Sequence, residues 1–351
     1  MLPYYIFLAL LILFAYLGYR NPKTKFFLLS VYAMMVLFAG LRSANVGTDA
    51  AGYASSFEEG RIELEGDWTV QITDEAGFYY LNLFLRSIST EYVVLFFGIA
   101  LLTYACVLTS IRRETNKLMV PLFVFVTLGL YTFVFNAARQ GIAVAIYMLS
   151  FKYLFEKNKM AFLKYSAVVL AAALFHKTVV IAIPLYFLFR LKYSPRMLVL
   201  IALLGAAIGA ALPAFLAYAG SMEARYELYN TSVGGGELLT LFYVLITAFF
   251  IYWRRNLDQN YLRRYDIFLN MMLFGTLIYA VVQIYGVYVE ITRFAAYFQV
   301  ASIFLWAFIY LSRKRPSSLL SAGVIVGHLI FYYIFCSKMA NLTPYMLNPN
   351  L

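Results

Sequence analysis

The chain has 351 residues, 63% hydrophobic and 13% charged, with mean hydropathy +0.76 and a formal net charge of +11. A soluble domain carries about 45–50% apolar and about 25% charged residues, so this composition excludes a soluble globular protein. Backbone groups in lipid must be satisfied within the chain, and the apolar runs here are continuous, not alternating; the expected fold is an all-α, polytopic helix bundle. The positive charge would suggest nucleic acid in a soluble protein, but membrane topology accounts for it and no nucleic-acid partner is expected.

Twelve spans are predicted, near residues 3–19, 26–41, 91–110, 119–135, 139–156, 160–176, 178–190, 196–219, 238–253, 266–287, 294–311 and 318–337. They form one transmembrane domain over 1–351, with no repeat and no soluble module. The first segment has no basic residue before it, and its first cation is Arg20. It reads as a retained helix with its N-terminus outside, not a cleaved leader. Counting from there, every odd loop is basic, and together these loops hold 20 of the 28 lysines and arginines but only 4 of the 17 acids. That is the positive-inside pattern, and it puts both termini on the outer side. Cys106 and Cys336 then lie near opposite faces, so no disulfide is expected. The cytoplasmic loops are too short for a nucleotide-binding fold.

Two outer loops are long. The first runs over 42–90. It opens with LRSANVGTDAAGY, where Gly47 permits a turn and Thr48 and Asp49 suit a helix N-cap. An acidic stretch follows, and then an apolar segment over 76–89 too short to span, which reads as an interfacial or re-entrant helix. The second loop covers 220–237.

Cations on the less basic side need a reason. Arg42, Arg139, His176 with Lys177, Arg225 and Arg293 are each predicted near the outer end of a different helix. Charges at membrane depth face a cavity or a partner, and arginines grip phosphate oxygens through paired hydrogen bonds. The plainer alternative for each is a snorkelling or ion-paired residue. His176, beside the Lys177 cation, could as a neutral imidazole accept a proton from a sugar hydroxyl. His328 reads as structural. Glu75, Asp49 and Glu290 are the outer acids nearest helix ends, and the sequence does not rank them as base or arginine partner. Tyr53, Tyr226 and Tyr229 could stack on sugars, although interfacial aromatic belts explain most such rings. No metal-ligand spacing is present, and no cofactor is expected.

Six strings in order carry a resemblance: GLRSANVGTDAAGY, DEAGFYYLNLFLRSIS, NAARQGIAVAIYMLSFKYL, LFHKTVVIAIPLYFL, ARYELY and TRFAAYF. They resemble the signatures of the EpsG-like branch of Wzy-type bacterial polysaccharide polymerases, with Thr178 where serine is more usual. The resemblance implies a membrane glycosyltransferase similar to the GT-C type, sited in the bacterial cytoplasmic membrane. It implies joining of oligosaccharide repeat units carried on undecaprenyl pyrophosphate at the outer face, without a metal. It also implies a bilayer setting and a possible chain-length-regulating membrane partner. His176, Arg139, Arg293 and Glu75 would be catalytic under that reading. Arg42, Asp49, Tyr53, Lys177, Arg225, Tyr226, Tyr229 and Glu290 would bind substrate. A flippase for lipid-linked glycan, or an O-antigen ligase, would use similar residues.

Overall fold

The structure is a computed structural model that describes residues 1–60, 75–222, 236–286 and 289–349. Among these there is no strand; the only β-bridge is an isolated antiparallel one between Arg42 and Leu347. The all-α expectation holds. The elements in order are α1 Leu2–Arg20, α2 Phe26–Gly40, α3 Ala50–Glu59, α4 Ala76–Arg86, α5 Tyr92–Glu114, α6 Met119–Thr127, α7 Phe133–Asn136, α8 Ala138–Met148, α9 Phe151–Phe155, α10 Ala161–Ala173, α11 Ala182–Phe189, α12 Pro195–Met222, α13 Glu237–Trp253, α14 Gln259–Tyr285, α15 Ala296–Gln299, α16 Ala301–Leu311 and α17 Ser318–Ile334.

Each of the twelve predicted apolar stretches falls on helix. Six helices among the described residues are long and apolar enough to cross a membrane: Leu2–Arg20, Tyr92–Glu114, Glu237–Asn256, Gln259–Tyr285, Ile291–Leu311 and Ser318–Met339. Phe26–Gly40, Ala161–Ala173, Lys177–Phe189 and Pro195–Ala211 are apolar but shorter. The stretches 119–135 and 139–156 are not single full-length helices, because each is interrupted. Between α6 and α7 the chain turns at Gly129, whose φ of +72° suits glycine and whose missing Cβ leaves room for the Phe335 ring.

The chain divides into two compact units, residues 1–183 with 316–351, and residues 184–315. In the first unit α2 packs on α1 and α5, α5 on α8, and α8 on α10. The core is aromatic: Tyr131 stacks on Tyr104 at 4.8 Å and lies 4.8 Å from Phe7, while Tyr345 stacks on Phe38 at 4.3 Å. Buried tyrosine hydroxyls find backbone carbonyls, as Tyr131 does at Met35 (2.8 Å) and Tyr4 at Leu342 (2.6 Å). Amphipathic α4 rests on α5 with Leu85 against Gly98 and leaves Tyr80, Leu83 and Phe84 exposed. The helix is shorter than the predicted 76–89.

The two ends of this unit differ in chemistry. At one end lie Tyr4, the loop over 41–49, Asn136 and the C-terminal residues, linked by hydrogen bonds. At the other lie Arg113, donating to the Leu149 carbonyl at 3.1 Å, and Lys117, over the Tyr19 ring at 5.6 Å.

In the second unit α14 packs against α12, α13, α15 and α16. Gly205 and Gly209, four residues apart, let α12 approach Leu277 and Tyr285 closely, a small-residue contact typical of membrane helices. Buried Asn270 donates to the carbonyls of Phe189 (3.0 Å) and Leu191 (2.8 Å). Arg254 clasps Asp266 through two bonds of 2.6 and 2.9 Å.

Candidate active site

The site forms where three short stretches of the first unit meet. The first is the break in LFHKT. Helix α10 ends at Ala173, His176 takes an extended conformation (φ −158°, ψ 109°), and a 3₁₀ turn resumes at Lys177. The break frees the Leu174 carbonyl, which accepts the Gly77 N–H at 2.8 Å. A Cβ on Gly77 would stand 2.9 Å from Leu174 Cβ and 3.0 Å from its carbonyl oxygen, so only glycine permits this approach.

That contact brings the second stretch, the start of α4, against His176. Glu75 precedes α4 in the left-handed region, at φ 55° and ψ 45°, a conformation that costs energy for a residue with a Cβ. It turns the carboxylate inward. Oε1 accepts from His176 Nδ1 at 2.6 Å and from the Lys177 backbone N–H at 3.4 Å. Oε2 accepts from Arg139 Nη1 at 3.1 Å. Arg139 comes from the third stretch, the first turn of α8, and also bonds the Tyr53 side chain on α3. Its guanidinium sits 5.9 Å from the Phe78 ring, which meets Tyr53 edge-on at 6.0 Å.

Exposure separates the roles. The Glu75 side chain is only 10% exposed, while His176 keeps 28% and Arg139 42%. Burial alone would raise the Glu75 carboxyl. The hydrogen bond and charge of His176, the Arg139 charge and the Lys177 N–H outweigh that and hold it below its ordinary value of 4.5. When His176 is in its neutral form, the Glu75 carboxylate holds the remaining ring proton on Nδ1 and leaves the Nε2 lone pair free to act as a base. Lys177 was the expected neighbour controlling the imidazole; the group that faces Nδ1 is instead the Glu75 carboxylate.

The other predicted site residues are placed as follows. Arg42 is 3% exposed, its guanidinium between the rings of Phe96 (3.9 Å) and Phe135 (4.0 Å) and donating to the Ala39 carbonyl. Arg42 is thus an interior cation held by aromatic faces. Asp49 occupies the N-cap position of α3 without a side-chain capping bond, so the cap expected of Thr48 and Asp49 is not made. Arg293 is exposed on the 3₁₀ helix Val289–Ala295 of the second unit, which also carries Glu290. Arg225, Tyr226 and Tyr229 lie outside the described residues. Of the three acids left open by the sequence, Glu75 is the one the fold sets on His176 and Arg139. The sequence reading passed over Gly77, Phe78 and Asn136; the spacing of Glu75 and Gly77 at the head of an amphipathic helix was the available signal.

The sequence profile of the EpsG family matches residues 25–347, nearly the whole chain. The chain belongs to the EpsG family. The resemblance drawn from the six strings is thereby borne out, and the match includes every residue of the Glu75, Arg139 and His176 cluster. Together with its apolar helices, membership makes this EpsG-family chain a membrane protein related to polysaccharide polymerases. No curated protein and no solved structure matches it.

Proposed function

We propose that this protein polymerises oligosaccharide repeat units carried on undecaprenyl pyrophosphate, acting as a glycosyltransferase at the outer face of the bacterial cytoplasmic membrane. The observation that carries this is the buried Glu75 carboxylate flanked by two more open groups, His176 and Arg139.

His176 Nε2 takes the proton of an acceptor hydroxyl as its oxygen attacks the anomeric carbon of the growing chain. Glu75 holds the ring and stabilises the imidazolium that forms. The bond from that carbon to the pyrophosphate oxygen breaks, and its electrons leave with the lipid pyrophosphate. Arg139, whose side chain is partly exposed, meets the negative charge that develops there. The proton passes from His176 to solvent or to the departing phosphate. The donor is already activated, so the reading calls for no metal or nucleotide. Tyr53 and Lys177 border the same cluster and would contact sugar or phosphate.

The two ends of the first unit support this sidedness. Cations such as Arg113 and Lys117 suit a cytoplasmic end by the positive-inside rule, which favours an outward-facing site at the other end. The exposed apolar face of α4 then rests in the lipid interface beside the site. The GT-C-type likeness, the roles expected of Arg293, Glu290, Arg225, Tyr226 and Tyr229, and pairing with a chain-length regulator belong to this reading too.

A gene deletion with gel analysis of surface glycan and lipid-linked intermediates tests it. Loss of long chains while single units still reach the outer face is the expected result. Build-up of units on the cytoplasmic face would overturn it in favour of transport.

A further inference from the structure

Asn136 lies three residues before Arg139, and its side chain joins three distant stretches of the first unit. Oδ1 accepts the Thr48 backbone N–H at 3.0 Å, and Nδ2 donates to the Ala340 carbonyl at 3.0 Å. One partner is a backbone donor and the other a backbone acceptor, so a flipped amide would lose both bonds. Gly47 closes against this amide: at its φ of +117° a Cβ would stand 2.7 Å from Asn136 Oδ1. The Gly47 N–H donates to the Asn341 carbonyl at 3.0 Å.

Beyond Ala340 the chain runs back along the loop as a strap. Ser43 N–H donates to the Met346 carbonyl (2.8 Å), and Asn348 N–H to the Leu41 carbonyl (2.9 Å). The Tyr345 hydroxyl ties the strap to the Phe38 carbonyl at 2.7 Å. The same amide therefore references both the start of α3, which carries Tyr53, and the start of α8, which carries Arg139.

We propose that Asn136 and the strap over 340–348 are the positioning device of the site, fixing Tyr53 and Arg139 against Glu75 without touching substrate. The inference rests on the glycosyl-transfer reading, but the two fail separately. Arg139 bonds Glu75, which in turn bonds the base His176, so a slack clamp that withdraws the guanidinium takes a cation away from the base and has a signature in the pH–rate profile beyond lost yield.

The test uses the full chain in membranes, with Asn136→Ala, Asn136→Asp, Tyr345→Phe and Arg139→Ala. Activity per inserted molecule should fall at least about tenfold in Asn136→Ala, with the acid limb of the pH–rate profile moved to higher pH as in Arg139→Ala. Asn136→Asp, which keeps an acceptor for Thr48, should lose less. Tyr345→Phe should move the limb in the same direction by a smaller amount. A purely structural role would lower the quantity of inserted protein and leave the profile of the remainder in place, and that result overturns the proposal. If Asn136→Ala does not accumulate, an unchanged profile in Tyr345→Phe overturns it. Hydrogen exchange over 41–53 and 136–140 scores the clamp without any turnover: faster exchange is expected in Asn136→Ala or, failing that, Tyr345→Phe, and native protection there is fatal to the proposal. Native polymer from His176→Ala would instead sink the glycosyl-transfer reading while leaving the exchange result to judge the clamp.

Discussion

The chemistry of the site is decided by which side chain meets which. Glu75 spends backbone strain and burial to place its carboxylate between His176 and Arg139. A general base contributes on the order of 10²–10⁴-fold, so His176→Ala should abolish detectable polymer while the protein still inserts. Glu75→Gln keeps the shape of the side chain but loses the charge that orients the ring. It should cost a similar factor, read as polymer per inserted molecule. The pH dependence follows from the sign of the shift. Glu75 is held below 4.5, so its carboxylate is ionised at neutral and mildly acidic pH, and its contribution is lost as pH falls through that lowered value. Arg139→Ala removes one of the causes of the lowering, so that loss should begin at a higher pH, nearer the ordinary carboxylate value.

At the scale of elements, function depends on breaks. The helix ending at Ala173 leaves the Leu174 carbonyl free, and Gly77 reaches it. Gly77→Ala should force α4 off this turn and separate Glu75 from His176. Overpacking of that kind costs about 1–3 kcal/mol. The loss should appear as a lower unfolding temperature in detergent and a drop in polymer larger than the loss of protein. Gly47 has a stricter requirement, since positive φ and the contact with Asn136 both exclude a side chain. Gly98, by comparison, meets the flexible end of the Leu85 side chain and has no positive φ, and Gly98→Ala should be the milder change when the two are compared by unfolding temperature.

For the whole molecule, the testable quantity is sidedness. The N-terminal turn, the loop over 41–49, the Glu75 cluster and the C-terminal strap share one end of the first unit. Single cysteines placed at the exposed positions Asn45 and Leu347 should therefore react with a membrane-impermeant thiol reagent from the same side, on a background lacking Cys106 and Cys336. A cysteine near Arg113 should react only from the other. Labelling at positions 45 and 347 from opposite sides would contradict the hydrogen-bonded strap. The two compact units also divide the predicted site residues: one unit carries Glu75, Arg139 and His176, the other Arg293 and Glu290.

The sequence by itself determined the membrane setting, the helical class, the alternation of basic loops and the family, because each is written in composition, in run length or in contiguous strings. It also singled out His176, Arg139 and Glu75, since charged residues are conspicuous at the ends of apolar runs. Only the tertiary structure decided that Glu75, and not Asp49, is the carboxylate against His176, because the two residues are 101 positions apart and their meeting depends on a glycine contact between separate helices. The interior place of Arg42 was equally hidden, for the rings that enclose it come from two other helices. So was the role of Asn136 and the last residues of the chain, which carry no charge or motif and act through backbone partners that no local pattern reveals.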